Sequence, residues 1–206
     1  SAFYALDNEA NTIAWGNTKY GGSYPEETAA TVTLSSAIVT GSSKALSDVN
    51  IAISTNAASN TYTSASDGSA SASLTSGDTV TVTANLDYSN TSKAVTSQDA
   101  LDALKLSVGL TTSAGTKTAF EYLAADFNQD GKVSSQDALS ILKYSVGLTT
   151  PEQAKWIFLN TDGDYSGVSK SNTSYTEGVT IADLSADTSV SLTGVLIGDV
   201  NDSFIA

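Results

Sequence analysis

The sequence contains no cysteine, no histidine, no methionine and no arginine, and only two of its 206 residues are proline. The lack of cysteine excludes disulfide bonds, thiol nucleophiles and thiolate metal sites. The lack of histidine removes the most common zinc ligand and the usual general base near neutral pH, which also excludes a Ser-His-Asp site. Metal binding by this chain therefore depends on oxygen ligands, which suit ions such as calcium.

Positive charge is also scarce. Acidic residues number 22 against nine lysines, which gives a formal net charge of −13. Nucleic acids and anionic membrane surfaces are bound by clustered basic residues, so neither is predicted as a partner. The acidity fits a protein that holds cations, and it is equally a simple route to solubility. No apolar run in the sequence approaches the roughly 20 residues that span a membrane, so no membrane insertion is predicted.

The pattern of the chain changes partway along. Its first part is rich in serine, threonine and alanine, and it alternates apolar and polar residues at 31–34, 49–53 and 79–83. Helical patterns and most of the charge follow. We therefore expect an α+β protein with an antiparallel β-sandwich over residues 1–86. A helical domain with a strand-containing C-terminal extension is expected over residues 87–206.

One segment of the sequence occurs twice. Residues 95–112 return as residues 133–150, with identical amino acids at all but four aligned positions. Large apolar residues recur at i, i+3 and i+7, so each copy predicts a helix with one apolar stripe. We expect the two helices to bury these stripes face to face about an approximate twofold axis, with a short connecting helix at 119–124. The stripe residues are Leu101, Leu104, Val108, Leu139, Leu142 and Val146.

An acidic loop with the spacing of an EF-hand-like calcium site precedes the second copy. Oxygen side chains alternate along the loop, and Gly131 permits the positive φ of its sharp turn. Asp137 closes the loop from the first turn of the helix, where a carboxylate also suits the helix dipole. An ordinary Asp/Asn-rich turn is the alternative interpretation. The predicted ligands are Asp126, Asn128, Asp130, the Lys132 carbonyl, Ser134 (directly or through water) and Asp137.

The first copy keeps the helix but loses most of the loop. In the same register only Asn90 and Asp99 remain as ligands. An empty site is favoured, in which case Asp99 is simply the carboxylate at the N-terminus of its helix. Near the end of the chain, residues 198–203 also resemble the opening of a cation loop, but they stop too soon to complete one.

A third, weaker pattern follows the second repeat. Oxygen atoms of Asp162, Asp164 and Ser166 and the carbonyl of Val168 have loop spacing, and Asp183 could close the loop after an insertion at 169–178. A hydrated turn rich in Asp, Gly and Ser explains the same residues equally well.

Residues 126–147 resemble a type I dockerin, the calcium module that attaches extracellular proteins to cohesin partners. The strand-rich segment before the repeats is similar in pattern to the immunoglobulin-like X modules that often precede dockerins. The resemblance implies bound calcium, a cohesin-like partner and an extracellular or cell-surface location. It is carried by Asp126, Asn128, Asp130, Gly131, Lys132, Asp137, Leu142 and Lys143.

The resemblance also implies partner contacts near the start of each helix and at one basic residue. An approximate twofold axis would then let a partner dock in either of two orientations. Alternatively, these are solvated polar positions of a duplicated helix. The first loop and the segment after Pro151 depart from a minimal dockerin. The implied contact residues are Ser97, Gln98, Lys105, Ser135, Gln136 and Lys143.

We predict a non-enzymatic calcium-binding module that serves for docking or as a rigid part of an adhesin. The alternative is a carbohydrate-binding module, since aromatic residues near the start of the chain could stack on sugar rings or fill a core. These are Tyr4, Trp15, Tyr20 and Tyr24. Catalysis by paired carboxylates, as in glycosidases, is disfavoured because the aspartates occupy cation-loop positions.

Overall fold

The computed structural model describes residues 4–7, 12–15, 18–20, 29–89 and 93–205, and it contains both α-helices and β-sheets. Contacts between residues divide it into two compact units, Ser1–Ala30 and Thr31–Ala206. The first unit contains a three-stranded antiparallel sheet of β1 (Tyr4–Asp7), β2 (Thr12–Trp15) and β3 (Thr18–Tyr20), in that order.

Among its described residues, the second unit contains eight strands and three helices. In chain order these are β4 (Thr31–Thr40), β5 (Asn50–Ser54), β6 (Ser59–Thr63), β7 (Ser69–Thr75), β8 (Asp78–Asn85), α1 (Ser97–Ser107), α2 (Ala119–Ala125), α3 (Ser135–Ser145), β9 (Trp156–Asn160), β10 (Val179–Leu184) and β11 (Thr188–Leu196). Within the described ranges, no helix is both long enough and apolar enough to cross a membrane.

The strands of the second unit form two four-stranded sheets, with the orders β10-β8-β5-β6 and β7-β4-β11-β9. Side chains alternate between solvent and core along β4, where Leu34 and Ile38 are buried, and along β5, where Ile51 and Ile53 are buried. The buried faces of the two sheets belong to one hydrophobic core. The strands predicted near 31–34, 49–53 and 79–83 are confirmed as parts of β4, β5 and β8.

The three helices lie in the chain between β8 and β9. Strands from beyond the helices complete both sheets, because β10 pairs with β8 and β11 lies between β4 and β9. The pairing of β11 with β4 is parallel. The C-terminal extension therefore contains strands, as expected, and these strands join the sheets of the preceding segment. The predicted boundary after residue 86 falls inside one compact unit.

Helices α1 and α3 pack against each other, as the repeat predicted, but not through the predicted stripe. Leu101 is 47% exposed and Leu139 is 45% exposed. The opposite side of each helix is buried instead. The prediction was wrong because a period of 3.6 residues identifies an apolar stripe without showing that anything covers it. The buried apolar residues are Ala100, Ala103 and Leu106 in α1, and Ala138, Ile141 and Tyr144 in α3.

Candidate metal centre

Helices α1 and α3 begin with the same hydrogen-bonded cap. Asp99 Oδ2 accepts hydrogen bonds from the Thr96 backbone N–H and hydroxyl, at 2.8 and 2.7 Å. Asp137 Oδ2 accepts the same pair from Ser134, both at 2.9 Å. This reciprocal cap fixes the first turn of each helix. The second oxygen of each carboxylate, Oδ1, is not used by this cap. Oδ1 of Asp137 faces the loop that precedes α3, and Oδ1 of Asp99 faces a loop near the end of the chain.

Asp126 organises the loop in front of α3. Its Oδ1 accepts a hydrogen bond from the Asp130 backbone N–H at 3.1 Å, and its Oδ2 accepts one from Gly131 at 3.0 Å. Gly131 has a φ of 92°, a conformation that costs a residue with a Cβ considerable strain. At the other end of the loop, the Asn128 N–H donates to Asp137 Oδ1 at 3.2 Å. The loop is thus held by two carboxylates, one at each end.

Those two carboxylates are buried, since Asp126 is 2% exposed and Asp137 is fully inaccessible. Burial is the main cause of the raised pKa of Asp126. Repulsion from Asp137 raises the pKa further, whereas several hydrogen bonds to the carboxylate lower it. The ion pair in this loop joins Lys132 Nζ to Asp130 at 3.6 Å and is solvent-exposed. Two buried like charges without a buried counter-charge are costly, and a divalent cation between them offsets that cost.

The other predicted metal ligands of the loop are oxygen atoms, the kind of ligand that calcium prefers. Asn128 Oδ1 accepts the Asp130 N–H at 3.0 Å, and Asp130 Oδ1 accepts the Lys132 N–H at 3.3 Å. Each oxygen keeps further lone pairs for an ion. Within the described residues, no three acidic side chains form a metal cluster by themselves. The sequence instead predicts a mixed set of carboxylate, amide, carbonyl and hydroxyl ligands in this loop, with Ser134 supplying the hydroxyl.

A segment beyond the third loop pattern covers this loop. The buried Thr173 donates its hydroxyl to Asp126 Oδ2, and its N–H donates to the Gly131 carbonyl at 3.1 Å. The Val133 N–H donates to the Lys170 carbonyl at 2.7 Å. We call residues 170–173 the strap. Thr173 was missed from the sequence because it lies 47 positions from Asp126 and carries no local motif.

The third loop pattern forms a turn after β9. Ser166 donates its N–H to Asp164 Oδ1 at 2.9 Å, and hydrogen bonds from Ser166 lower the pKa of Asp164. Asp162 and Val168 lie in the same turn, whereas Asp183 is exposed on β10, which pairs with β8. Among the hydrogen bonds and ion pairs of the described residues, none joins Asp183 to this turn. The contribution of Asp183 to this loop stays a prediction.

In the first repeat, Asn90 lies outside the described residues. The position in front of Asp99 is occupied by the last loop of the chain, whose Asn201 N–H donates to Asp99 Oδ1 at 3.2 Å. Burial raises the pKa of Asp99. Burial, with repulsion from Asp99, also raises the pKa of the neighbouring Asp199 to about 6. In the sequence, the resemblance of residues 198–203 to the opening of a cation loop pointed to Asp199 and Asn201. It did not indicate that this segment contacts Asp99.

The implied partner contacts differ between the two copies. The buried Asp102 accepts hydrogen bonds from Gln98 at 3.3 Å and from Lys105 at 3.2 Å. Burial alone raises the pKa of Asp102, but these bonds and those from Ser113 hold it below its usual value. In α3 the corresponding residue is Ser140, so the second copy lacks this carboxylate. The remaining contact residues, Ser97, Ser135, Gln136 and Lys143, are exposed.

Each repeat exposes the same four large apolar residues, which together we call the leucine face. All eight are at least 42% exposed. They are identical in the two copies, whereas three of the four differences between the copies fall on the inner sides of the helices: Asp102/Ser140, Ala103/Ile141 and Leu106/Tyr144. The leucine face comprises Leu101, Leu104, Val108, Leu110, Leu139, Leu142, Val146 and Leu148.

The aromatic residues behind the carbohydrate-binding alternative lie in the first unit. Tyr4 of β1 pairs with Trp15 of β2, and Tyr20 of β3 pairs with Ile13. Tyr24 lies outside the described residues. This strand pairing neither supports nor opposes sugar binding.

Comparison of the chain with protein-family models, with curated proteins and with solved structures gives no match in any of the three. Its function is therefore inferred from the loop, the caps and the leucine face.

Proposed function

We propose that this chain is a non-enzymatic, calcium-dependent docking module of a secreted or cell-surface protein, and that its partner is a cohesin-like domain. The observation that carries the proposal is the leucine face, which is exposed and identical in both repeats. At the finer level, we propose that a dockerin-like pair of loop-helix repeats is inserted into an immunoglobulin-like sandwich.

Exposed apolar side chains support docking because their contiguous exposure to water is unfavourable and uncommon in monomers. Scattered leucines need no explanation. Here, however, the same four exposed residues recur in both repeats, whose helices α1 and α3 pack against each other. The copies vary where they face the core and agree where they face solvent. A binding surface explains that pattern, since both copies then meet the same kind of partner surface.

The polar surroundings of the leucine face indicate the chemistry of the partner. Gln136 and Lys143 are exposed on α3, and the ion pairs of the described residues do not involve Lys143. Polar groups around an apolar centre are typical of protein interfaces. The partner surface should therefore be apolar at its centre and carry a carboxylate that reaches Lys143.

Calcium supplies positive charge between Asp126 and Asp137. Because Asp137 also caps α3, the ion fixes the loop and the first turn of this helix together. The strap closes over the same carboxylate through Thr173. Helix α3 packs on α1, so an ordered loop also fixes α3 beside α1. Partner binding should consequently weaken when calcium is removed, and calcium-rich extracellular fluid is the setting in which a weak loop stays filled.

The proposal is tested by isothermal titration of the chain against a panel of cohesin domains, in calcium and in chelator. We expect at least one domain to bind in calcium, and Leu139→Ser combined with Leu142→Ser to abolish that binding. Ile205→Ser is the matched control, because Ile205 is also exposed but lies outside the leucine face. Absence of binding across the panel, or unchanged binding by the double variant, contradicts the proposal. Self-association through the leucine face in sedimentation experiments also contradicts it.

A further inference from the structure

We propose that a second calcium site forms where the last loop of the chain, residues 199–204, meets the first turn of α1. The choice of ion rests on the proposed function, but the site itself is independent of the loop before α3. Its two halves lie about a hundred positions apart in the sequence. The ligands we assign are Asp199, Asn201, Ser203, the Ala94 carbonyl and Asp99.

The last loop repeats the hydrogen bonds of the loop before α3. Asp199 Oδ1 accepts the Ser203 N–H at 2.9 Å, and Asp199 Oδ2 accepts the Phe204 N–H at 2.9 Å. Asp126 binds the amides four and five residues after it in the same way, at 3.1 and 3.0 Å. The residue three places after each aspartate has a positive φ, 51° at Asp202 and 57° at Gln129. Asp199 therefore occupies the first ligand position of a loop.

The first turn of α1 is joined to this loop in the same way as the first turn of α3 is joined to the loop before α3. The Asn201 N–H donates to Asp99 Oδ1 at 3.2 Å, and the Asn128 N–H donates to Asp137 Oδ1 at the same distance. In both cases the other carboxylate oxygen caps the helix. Asn201 thus stands at the third ligand position, and Asp99 stands at the closing position.

The remaining ligand positions are brought together although they belong to two segments that are distant in the sequence. Ser203, at the fifth position, donates its hydroxyl to the Ala94 carbonyl at 3.1 Å. Ala94 corresponds in the repeat to Lys132, whose carbonyl is the seventh ligand of the loop before α3. Two groups that ligate the same ion must be neighbours, and Ser203 and Ala94 already are. One segment thus supplies positions one to five, and another supplies positions seven to twelve.

An independent observation indicates that one atom of this loop requires a partner. The Oδ1 atom of Asn201 is buried and, among the described residues, has no hydrogen-bond partner. Such an acceptor is costly unless something binds it. A bound cation satisfies this oxygen at the third position, where the side chain of a calcium loop points at the ion.

The buried carboxylates around this loop also favour a bound cation. Asp99 is fully inaccessible and Asp199 is 3% exposed, and the two repel each other. The ion pairs of the described residues, Lys105 with Asp102 and Lys132 with Asp130, do not reach either carboxylate. The nearby Lys44 binds the carbonyls of Asp202 and Phe204 instead. A divalent ion bound by both aspartates compensates their charge, as buried charges require.

The split site should bind calcium more weakly than the loop before α3. Its side-chain ligands include two carboxylates, whereas the other loop has three, and affinity rises with the charge of the ligand set. The two sites are therefore expected to fill in sequence as calcium is added.

The test is the number of calcium ions bound by the full chain, measured by isothermal titration and equilibrium dialysis. We expect two ions for the unaltered chain and one for Asn201→Ala, which removes Oδ1 but keeps the N–H that binds Asp99. Asn128→Ala should lose the other ion. Asp202→Asn is the matched control and should keep two, because the Asp202 carboxylate binds Thr40 and Ser42.

Hydrogen exchange gives a second measurement that locates the ion. Calcium should slow exchange at the amides of residues 201–204, and this effect should persist in Asn128→Ala but disappear in Asn201→Ala. If Asn201→Ala misfolds, as judged by circular dichroism, Ser203→Ala and the nearly isosteric Asp199→Asn take its place. A chain that retains two ions in all of these variants overturns the split site. A single ion that depends on Asn128 overturns it too and leaves the proposed function intact, whereas absence of any calcium binding overturns both.

Discussion

The backbone N–H of Asn201 donates a hydrogen bond to Asp99 Oδ1 across 3.2 Å, joining residues that are 102 positions apart. This contact fastens the last loop of the unit to the first turn of α1. The equivalent contact before α3, from Asn128 to Asp137, is local. The same chemistry therefore holds both helices in place, once within a continuous loop and once between distant segments.

Removal of calcium should destabilise the protein. An ion that binds only the folded chain contributes about 2.7 kcal/mol when its free concentration is a hundred times its dissociation constant. Thermal unfolding in excess calcium and in chelator should differ accordingly, and Asp126→Asn should shrink the difference. Identical unfolding temperatures in the two buffers for the unaltered chain contradict the prediction.

Thr173→Val should destabilise the protein even in chelator. The substitution keeps the shape of the side chain but removes a hydroxyl donor from the buried Asp126 carboxylate. Loss of a partner by a buried acceptor costs about 1–3 kcal/mol. Urea unfolding measures the change, and Thr173→Ser, which keeps the hydroxyl, is the control. Equal stability of the two variants contradicts a role for the strap.

Ile141→Ala and Leu139→Ala should behave very differently although they are two residues apart on α3. Ile141 is fully buried, so its truncation should cost about 2–5 kcal/mol of unfolding free energy. Leu139 is 45% exposed, so its truncation should change stability by about 0.5 kcal/mol or less. Urea unfolding compares them directly. A larger loss for Leu139→Ala contradicts the observed burial of the helix faces.

Lys143→Ala should weaken cohesin binding more than Lys105→Ala does. Lys105 is engaged by Asp102, whereas its counterpart in α3 has no such carboxylate because residue 140 is serine. The loss for Lys143→Ala should be about 1 kcal/mol, the usual size for a solvent-accessible charge pair. Titration calorimetry with a single cohesin domain measures both variants. Equal losses indicate docking in two equivalent orientations.

In chelator, Asp199 should make stability depend on pH. Burial raises its folded pKa to about 6, above the usual value of 3.8, so its protonated form stabilises the folded chain. That contribution is complete below about pH 4 and is lost as the pH rises through 6. Relative to Asp199→Asn, the unaltered chain should therefore lose about 2–3 kcal/mol over this range. Parallel stability curves for the two proteins contradict the prediction.

Local features were predictable from the sequence. The short strands of the second unit follow from alternation, and the spacing Ser134-x-x-Asp137 is that of a helix cap, so the start of α3 is fixed within a few residues. The loop before α3 was also predictable because it is local in sequence: Asp126, Asn128 and Asp130 lie within five consecutive residues.

Features that depend on distant segments were not predictable. Periodicity predicts that the stripe of Leu101, Leu104 and Val108 is buried, because it identifies amphipathic helices without identifying what they pack against. Only the packing of α1 on α3 shows that Ala103 and Leu106 face inward. The contact of Thr173 with Asp126 likewise crosses an irregular segment that carries no periodic signal.

The position of β11 has a consequence for how the unit is made. This strand lies in the interior of its sheet, between β4 and β9, yet it follows both of them in the chain. During synthesis, β4 and β9 cannot be joined until β11 has left the ribosome, so the sheet closes only after translation of the unit is nearly complete. Such long-range pairing is slow to form. Each half of this sheet therefore stays incomplete until the last strand of the unit is available to join them.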